Sequence, residues 1–194
     1  GFITIVASAA IPVAALAAGF AEITIHPGDG VATNVTEQFR GAVNLSINPG
    51  LSGGGIVSLN PNNAHYGVTT LGCGTLVVDN FANCYKNSTI GAGDMLILGP
   101  GTLRYNGPAE GATDRTISNT VSRTQVTVFE VNSNLWFNGN FIQPGGGFIK
   151  TGPGTLHIAG SGDNYIAYGE NIFAINDAIN KNRLNIQPNG DAPT

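Results

Sequence analysis

The chain has 194 residues, enough for one domain with a sizeable core and short of what two large domains need. Only 10% of residues are charged and the formal net charge is -4, with eight Lys and Arg scattered along the chain, so the concentrated basic patch of a nucleic-acid-binding domain is excluded. Twenty-eight glycines with abundant Asn and Thr favour turns and strands over helices.

In chain order, the first element is "GFITIVASAAIPVAALAAGFAEITI", apolar for roughly twenty residues and so near the length that spans a bilayer. It has no flanking basic residues. "AGFA" before Glu22 has the form of a signal-peptidase site, which makes a residual export signal one reading, and a retained, packed segment is the preferred one. Residues 2–6 are a β-prone run, 13–18 suit a short helix with Pro12 near its start, and "EITIH" returns to strand alternation. The organisation expected is an apolar N-terminal extension over 1–28 that assembles or caps, a β-solenoid over 29–188, and a polar tail over 189–194.

From there the chain is a succession of short strands and Gly/Asn/Pro turns. "TLVV", "MLIL", "RTIS", "NLWF", "TLHI" and "FAIN" recur about every twenty residues, with "TLRY", "QVTVFEV" and "GFIK" between them. Two or three strands per repeat fit one coil of a parallel β-helix, in which each coil buries a face against its neighbours. The coil-length period favours this over a β-sandwich. In such a coil "GPGTL" is a corner followed by an inward Leu, because glycine permits the positive φ that a tight corner requires.

Cys73 and Cys84 lie in "GCGTLVVDNFANCY", without CxxC or a nearby His at metal-ligand spacing. The pair reads as a disulfide closing a loop that holds one strand, and so as a mark of export, with two free buried thiols as the alternative. The carboxylates Asp79, Asp94, Asp114, Glu130, Asp163, Glu170 and Asp177 fall singly in turns, and none are spaced to share a strand face as a general acid and base would. His26, His65 and His157 lack partner motifs, and His157 belongs on the outer face opposite Leu156. No catalytic, cofactor or metal site is assigned. The N-x-S/T triplets at Asn34, Asn44 and Asn87 are formal glycosylation sites that chance alone explains in so Asn- and Thr-rich a chain. Trp136 and Phe137 must point to opposite faces of their strand, so one of them is outside, free to stack on a sugar or pack under a loop.

"GGGFIKTGPGTLHIAGSGDNY" over 145–165 resembles the autotransporter-associated β-strand repeat, also called the passenger-associated transport repeat. A more degraded copy is "GGGIVSLNPNNAHYGVTTLGCGTLVVDN" over 53–80, and "ILGPGTLRYNGPAEGATDRTIS" over 97–118 is similar to the section between repeats. The resemblance covers about residues 53–176 and implies a right-handed parallel β-helix on a bacterial cell surface or secreted, touching a membrane only during export.

Three functions follow as expectations. The first is an extracellular structural subunit of a homopolymeric filament, linked head to tail by Phe2, Ile3, Ile5 and Val6 adding to the open end of the next solenoid. The same residues capping their own first coil is the intramolecular alternative. The second function is a monomeric surface adhesin or glycan-binding module, and the third a polysaccharide-active enzyme with an acidic groove across coils.

Overall fold

The computed structural model describes residues 22–50 and 52–160, together with the backbone of strands Phe2–Ile5, Tyr165–Ile166, Ile172–Phe173 and Arg183–Ile186. Among these residues there is no helix, and the strands stack in parallel as a β-solenoid of about 6 turns. The all-β solenoid expected from the sequence is thus the observed fold.

The coil has three sides. Face 1 stacks Phe2–Ile5, Glu22–Ile25, Asn44–Ile47, Thr69–Leu71, Met95–Leu98, Thr116–Asn119, Phe141–Gln143 and Tyr165–Ile166. Face 2 stacks Ala32–Val35, Ile56–Leu59, Thr75–Val78, Thr102–Tyr105, Val126–Val131, Gly147–Thr151 and Ile172–Phe173. Face 3 is formed by Glu110–Thr113, Asn134–Phe137, Thr155–Ile158 and Arg183–Ile186, while in the earlier turns its place in chain order is held by the pair Arg40–Gly41 and Ala64–His65.

Strict alternation of inward and outward side chains builds the core. On face 1 the inward ladder runs Ile23, Leu45, Thr69, Leu96, Ile117, Phe141, each in register with the next. On face 2 it runs Thr33, Val57, Leu76, Leu103, Phe129, Lys150. All of these side chains are buried, and each large apolar one contributes about 1.5–3 kcal/mol. In the later turns aromatic rings fill the interior: Phe129 lies 5.8 Å from Phe137, 6.1 Å from Phe141 and 5.6 Å from Phe148 between ring centroids. Tyr105 is also inside, its hydroxyl donating to Pro108 O at 2.9 Å, and Gly111 makes room for it: a Cβ there would sit 2.2 Å from that hydroxyl.

The corner motif recurs with its Leu inward in each case, at Leu76, Leu103 and Leu156. "GCGTL" and the first "GPGTL" turn from face 1 to face 2, and the second "GPGTL" turns from face 2 to face 3. The regular runs noted in the sequence are therefore not one strand seen once per coil. "TLVV" lies on face 2, "MLIL" and "RTIS" on face 1, "NLWF" and "TLHI" on face 3. True coil lengths follow from the registers: Leu96 to Ile117 is 21 residues, Leu45 to Thr69 is 24, and Thr69 to Leu96 is 27.

Glu22–Ile25 already belongs to face 1, with Ile23 and Ile25 in the core, so the solenoid begins before residue 29. Upstream of it, the backbone of Phe2–Ile5 pairs in parallel with Glu22–Ile25 of the same chain, Phe2 opposite Glu22 and Ile5 opposite Ile25. Val6, the helix expected over 13–18 and the tail over 189–194 lie outside the described residues.

Candidate functional site

One connection departs from the economy of the coil. Between Thr75–Val78 and Met95–Leu98 the chain runs through residues 79–94, sixteen positions, where the corresponding passages over 36–43, 60–68, 106–115 and 132–140 take eight to ten. This loop replaces the face 3 strand of its turn and is bonded to the turns on both sides. Toward the preceding turn, Ser88 N donates to Asn63 O at 3.1 Å, Asn63 Nδ2 to Thr89 O at 3.0 Å, and Ala92 N to His65 O at 2.6 Å. Toward the following turn, Thr113 Oγ1 donates to Ala82 O at 2.9 Å, Asp114 N to Asn83 Oδ1 at 3.1 Å, and Cys84 N to Asp114 Oδ1 at 2.6 Å.

The loop is wrapped around a buried cation. Arg115 is fully buried, and its guanidinium donates to Gly93 O at 2.6 Å, Ser88 Oγ at 2.8 Å, Gly91 O at 2.8 Å, Lys86 O at 3.0 Å and Asn83 O at 3.3 Å. Burial disfavours its charge, while the Asp114 and Asp94 carboxylates favour it. Buried charge without such partners would cost several kcal/mol, on the order of what an unpaired ion loses on leaving water. His65 lies under the same loop. The Thr69 hydroxyl donates to Ile90 O at 2.9 Å, so the 2.9 Å contact between His65 Nε2 and Thr69 Oγ1 has the imidazole as donor. The ring is thus held neutral with its proton on Nε2, and burial, helped by Arg115, lowers its pKa to about 4. Gly91 packs on it with φ +86, and a Cβ there would come 2.5 Å from His65 O.

This anchorage presents two aromatic rings to solvent. Tyr66 and Tyr85 are 61% and 79% exposed and are the only large apolar-bodied side chains among the described residues that stay exposed. Together with Ala92 and Asp94 they line one open pocket of about 350 Å³. Tyr85 has φ 64, a left-handed conformation that costs a non-glycine residue about 1–3 kcal/mol, and its N–H is tied to Ala92 O at 2.9 Å. The groups at the pocket stack and accept hydrogen bonds. The neighbouring Cys84 thiol is held in its protonated form: burial and its hydrogen bond to Asp114 raise its pKa to about 11.

A second polar array lies on the outer side of face 3. Trp136 and His157 are cross-strand neighbours and stack face to face, centroids 3.5 Å apart and planes 5° from parallel. Trp136 Nε1 donates to Glu110 Oε2 at 3.0 Å and Asn134 Nδ2 to Glu110 Oε1 at 2.9 Å, which together lower the Glu110 pKa.

The residues singled out in the sequence are spread over this surface. Phe137 is inside and Trp136 outside, as the strand alternation requires, and His157 is an outward strand residue. His26 is exposed, and His65 is in the core. The expected bridge is not formed: Cys73 and Cys84 are both free, Cys73 Sγ directed at Asn48 O and Ser52 O in the core, and Cys84 held in the loop by Asp114. The strand between them runs inside the stack and carries the two thiols to separate surroundings. Asn34, Asn44 and Asn87 are exposed, and Asn44 Oδ1 is used to accept from Val68 N at 2.9 Å. Asp79 is exposed, Glu130 pairs with Arg104 at 2.7 Å, and Asp94 and Asp114, isolated in sequence, both act electrostatically on Cys84 and Arg115. Asp163, Glu170 and Asp177 lie outside the described residues. Among the described residues no three His, Cys, Asp or Glu side chains gather in a way that could hold a metal ion. Sequence reasoning missed Tyr66, Tyr85 and Arg115. The available signal was the stretch between "TLVV" and "MLIL", too long and too irregular for a corner.

No family model matches the chain, and no solved structure matches it. Over 122 residues, 59% of this chain, it is 38% identical to the adhesin BmaC autotransporter of Brucella suis biovar 1 (strain 1330). The match takes in 4% of that protein's length. A partial likeness to an autotransporter adhesin, falling on a β-solenoid, fits a repeat of autotransporter-passenger type.

Proposed function

We propose that the chain is part of a surface-displayed bacterial adhesin of autotransporter-passenger type, acting by binding and not by catalysis. The observation that carries this reading is the 38% identity to an adhesin autotransporter in a chain folded as a parallel β-solenoid. The physical role of the solenoid is to hold an irregular loop rigidly out from a stiff rod, the arrangement in which a contact surface needs little ordering on binding. The outward groups of the 79–94 loop are stacking and hydrogen-bonding groups, which suits adhesion.

The test is attachment. Beads coated with the folded chain are expected to adhere to cultured mammalian cells well above beads coated with the heat-denatured chain. Equal attachment would reject the adhesive reading. The head-to-tail filament through Phe2, Ile3, Ile5 and Val6 takes second place, because the backbone of Phe2–Ile5 is paired within its own chain. Electron microscopy of the full chain beside a version lacking residues 1–25 tests it, filaments lost on truncation being the result that would restore it.

A further inference from the structure

We propose that the pocket formed by Tyr66, Tyr85 and Asp94 is a subsite for a neutral pyranose ring of a glycan. The inference rests on the adhesive reading and names what that surface takes. Four observations lead to it. Two phenol rings line one pocket while exposed, although every other large apolar side chain among the described residues is buried or half-buried. An aromatic face left open to water is matched by the C–H face of a sugar, which buries apolar area while its hydroxyls point outward. Asp94, exposed at the same pocket, offers a carboxylate that accepts from those hydroxyls in charge-assisted hydrogen bonds.

The second pair of observations concerns preorganisation and charge. Tyr85 is held in a left-handed conformation, and backbone strain at an exposed aromatic is tolerated where the surroundings over-determine it. Here they do: the five Arg115 contacts and the bonds from Asn63, His65 and Thr69 fix the loop from beneath, so a ligand orders little on binding. Asp94 carries a negative charge into the pocket, whereas the Arg115 cation is buried and engaged with four loop carbonyls and the Ser88 hydroxyl. An acidic sugar would meet the Asp94 carboxylate and no cation among the lining residues, so the site selects a neutral ring. A volume of about 350 Å³ is of the size that admits one such residue with its neighbours outside.

Saturation-transfer NMR of the whole chain with methyl β-D-glucopyranoside, methyl β-D-galactopyranoside, methyl α-D-mannopyranoside and N-acetylneuraminic acid tests the assignment. Saturation is expected to reach the ring C–H protons of at least one neutral pyranoside and none of N-acetylneuraminic acid. Tyr85→Ala and Tyr66→Ala should each weaken that binding at least tenfold, Tyr85→Phe should keep it, and Trp136→Ala should leave it unchanged. Both tyrosines are exposed, and unchanged thermal melts of the variants verify their folding. Absence of transfer to every neutral pyranoside, transfer that survives Tyr85→Ala, transfer that Trp136→Ala abolishes, or transfer to the acidic sugar alone would overturn the subsite. The two readings fail separately: wild-type beads that do not attach to cells reject the adhesive reading even where a tyrosine-dependent sugar signal upholds the subsite.

Discussion

Trp136 and His157 lie in register on neighbouring turns and stack with their planes 5° from parallel and centroids 3.5 Å apart. Trp136 is the only tryptophan of the chain, so its fluorescence reports on this one contact. Partial burial lowers the His157 pKa from the ordinary 6.5, and the Glu110 carboxylate opposes that shift. Titration should therefore show quenching of Trp136 as His157 gains its proton, with a midpoint below 6.5. Glu110→Gln removes the opposing charge and should move the midpoint lower still. A midpoint that rises in that variant would refute the assignment.

A second histidine makes stability depend on pH. His65 takes a proton near 6.5 when the chain is unfolded and only near 4 when folded, so between those values the unfolded chain binds more protons. Stability must then be complete above about pH 6.5 and fall as pH drops through this window, by about 3 kcal/mol at pH 4. The His157 shift adds to the loss with the same sign. Urea titrations at pH 7 and pH 4 measure it, and His65→Gln should remove most of the difference while lowering stability at pH 7.

Arg115 is the anchor of the 79–94 loop. In Arg115→Ala the carbonyls of Lys86 and Gly93 lose their donor, while Asn83 O keeps Lys86 N and Gly91 O keeps Ser88 Oγ, a loss of at least about 2 kcal/mol for the two orphaned acceptors. Limited proteolysis should then cut first within 79–94. Arg115→Lys should recover only part of the stability, because an ammonium cannot fork to five acceptors. A loop that stays protected in the alanine variant would refute the anchoring role.

Phe129 touches three other rings at the centre of the later turns. Truncation to Ala leaves a cavity that stacked turns on either side cannot close, at a cost of about 3–5 kcal/mol. Phe129→Leu should cost distinctly less. Denaturant midpoints of the two variants decide the order.

The thiols give a direct count. In denaturant without reductant, a thiol reagent should titrate both Cys73 and Cys84, whereas a count of zero would restore the bridge expected from the sequence. In the folded chain Cys84 should react slowly at pH 8, since its pKa is raised to about 11.

Local geometry was legible in the sequence by itself. Alternation of apolar and polar residues follows from the two-residue period of an extended strand, so Leu76, Leu103 and Leu156 could be placed inward, His157 outward, and Trp136 and Phe137 on opposite faces, before any neighbour was known. The glycine corners were legible for the same reason, and with them the solenoid. What depends on stacking was not. Which face a run occupies is set by the sum of all preceding turn lengths, and these vary from 21 to 27 residues on face 1, so an even spacing of strands in the sequence mixed all three faces. Arg115 finds its carbonyls 22 to 32 residues upstream, and Tyr66 comes to line one pocket with Tyr85 only because the loop folds back over the preceding turn. Such contacts arise between turns, where neither period nor composition carries a signal, and they are the ones that build the pocket.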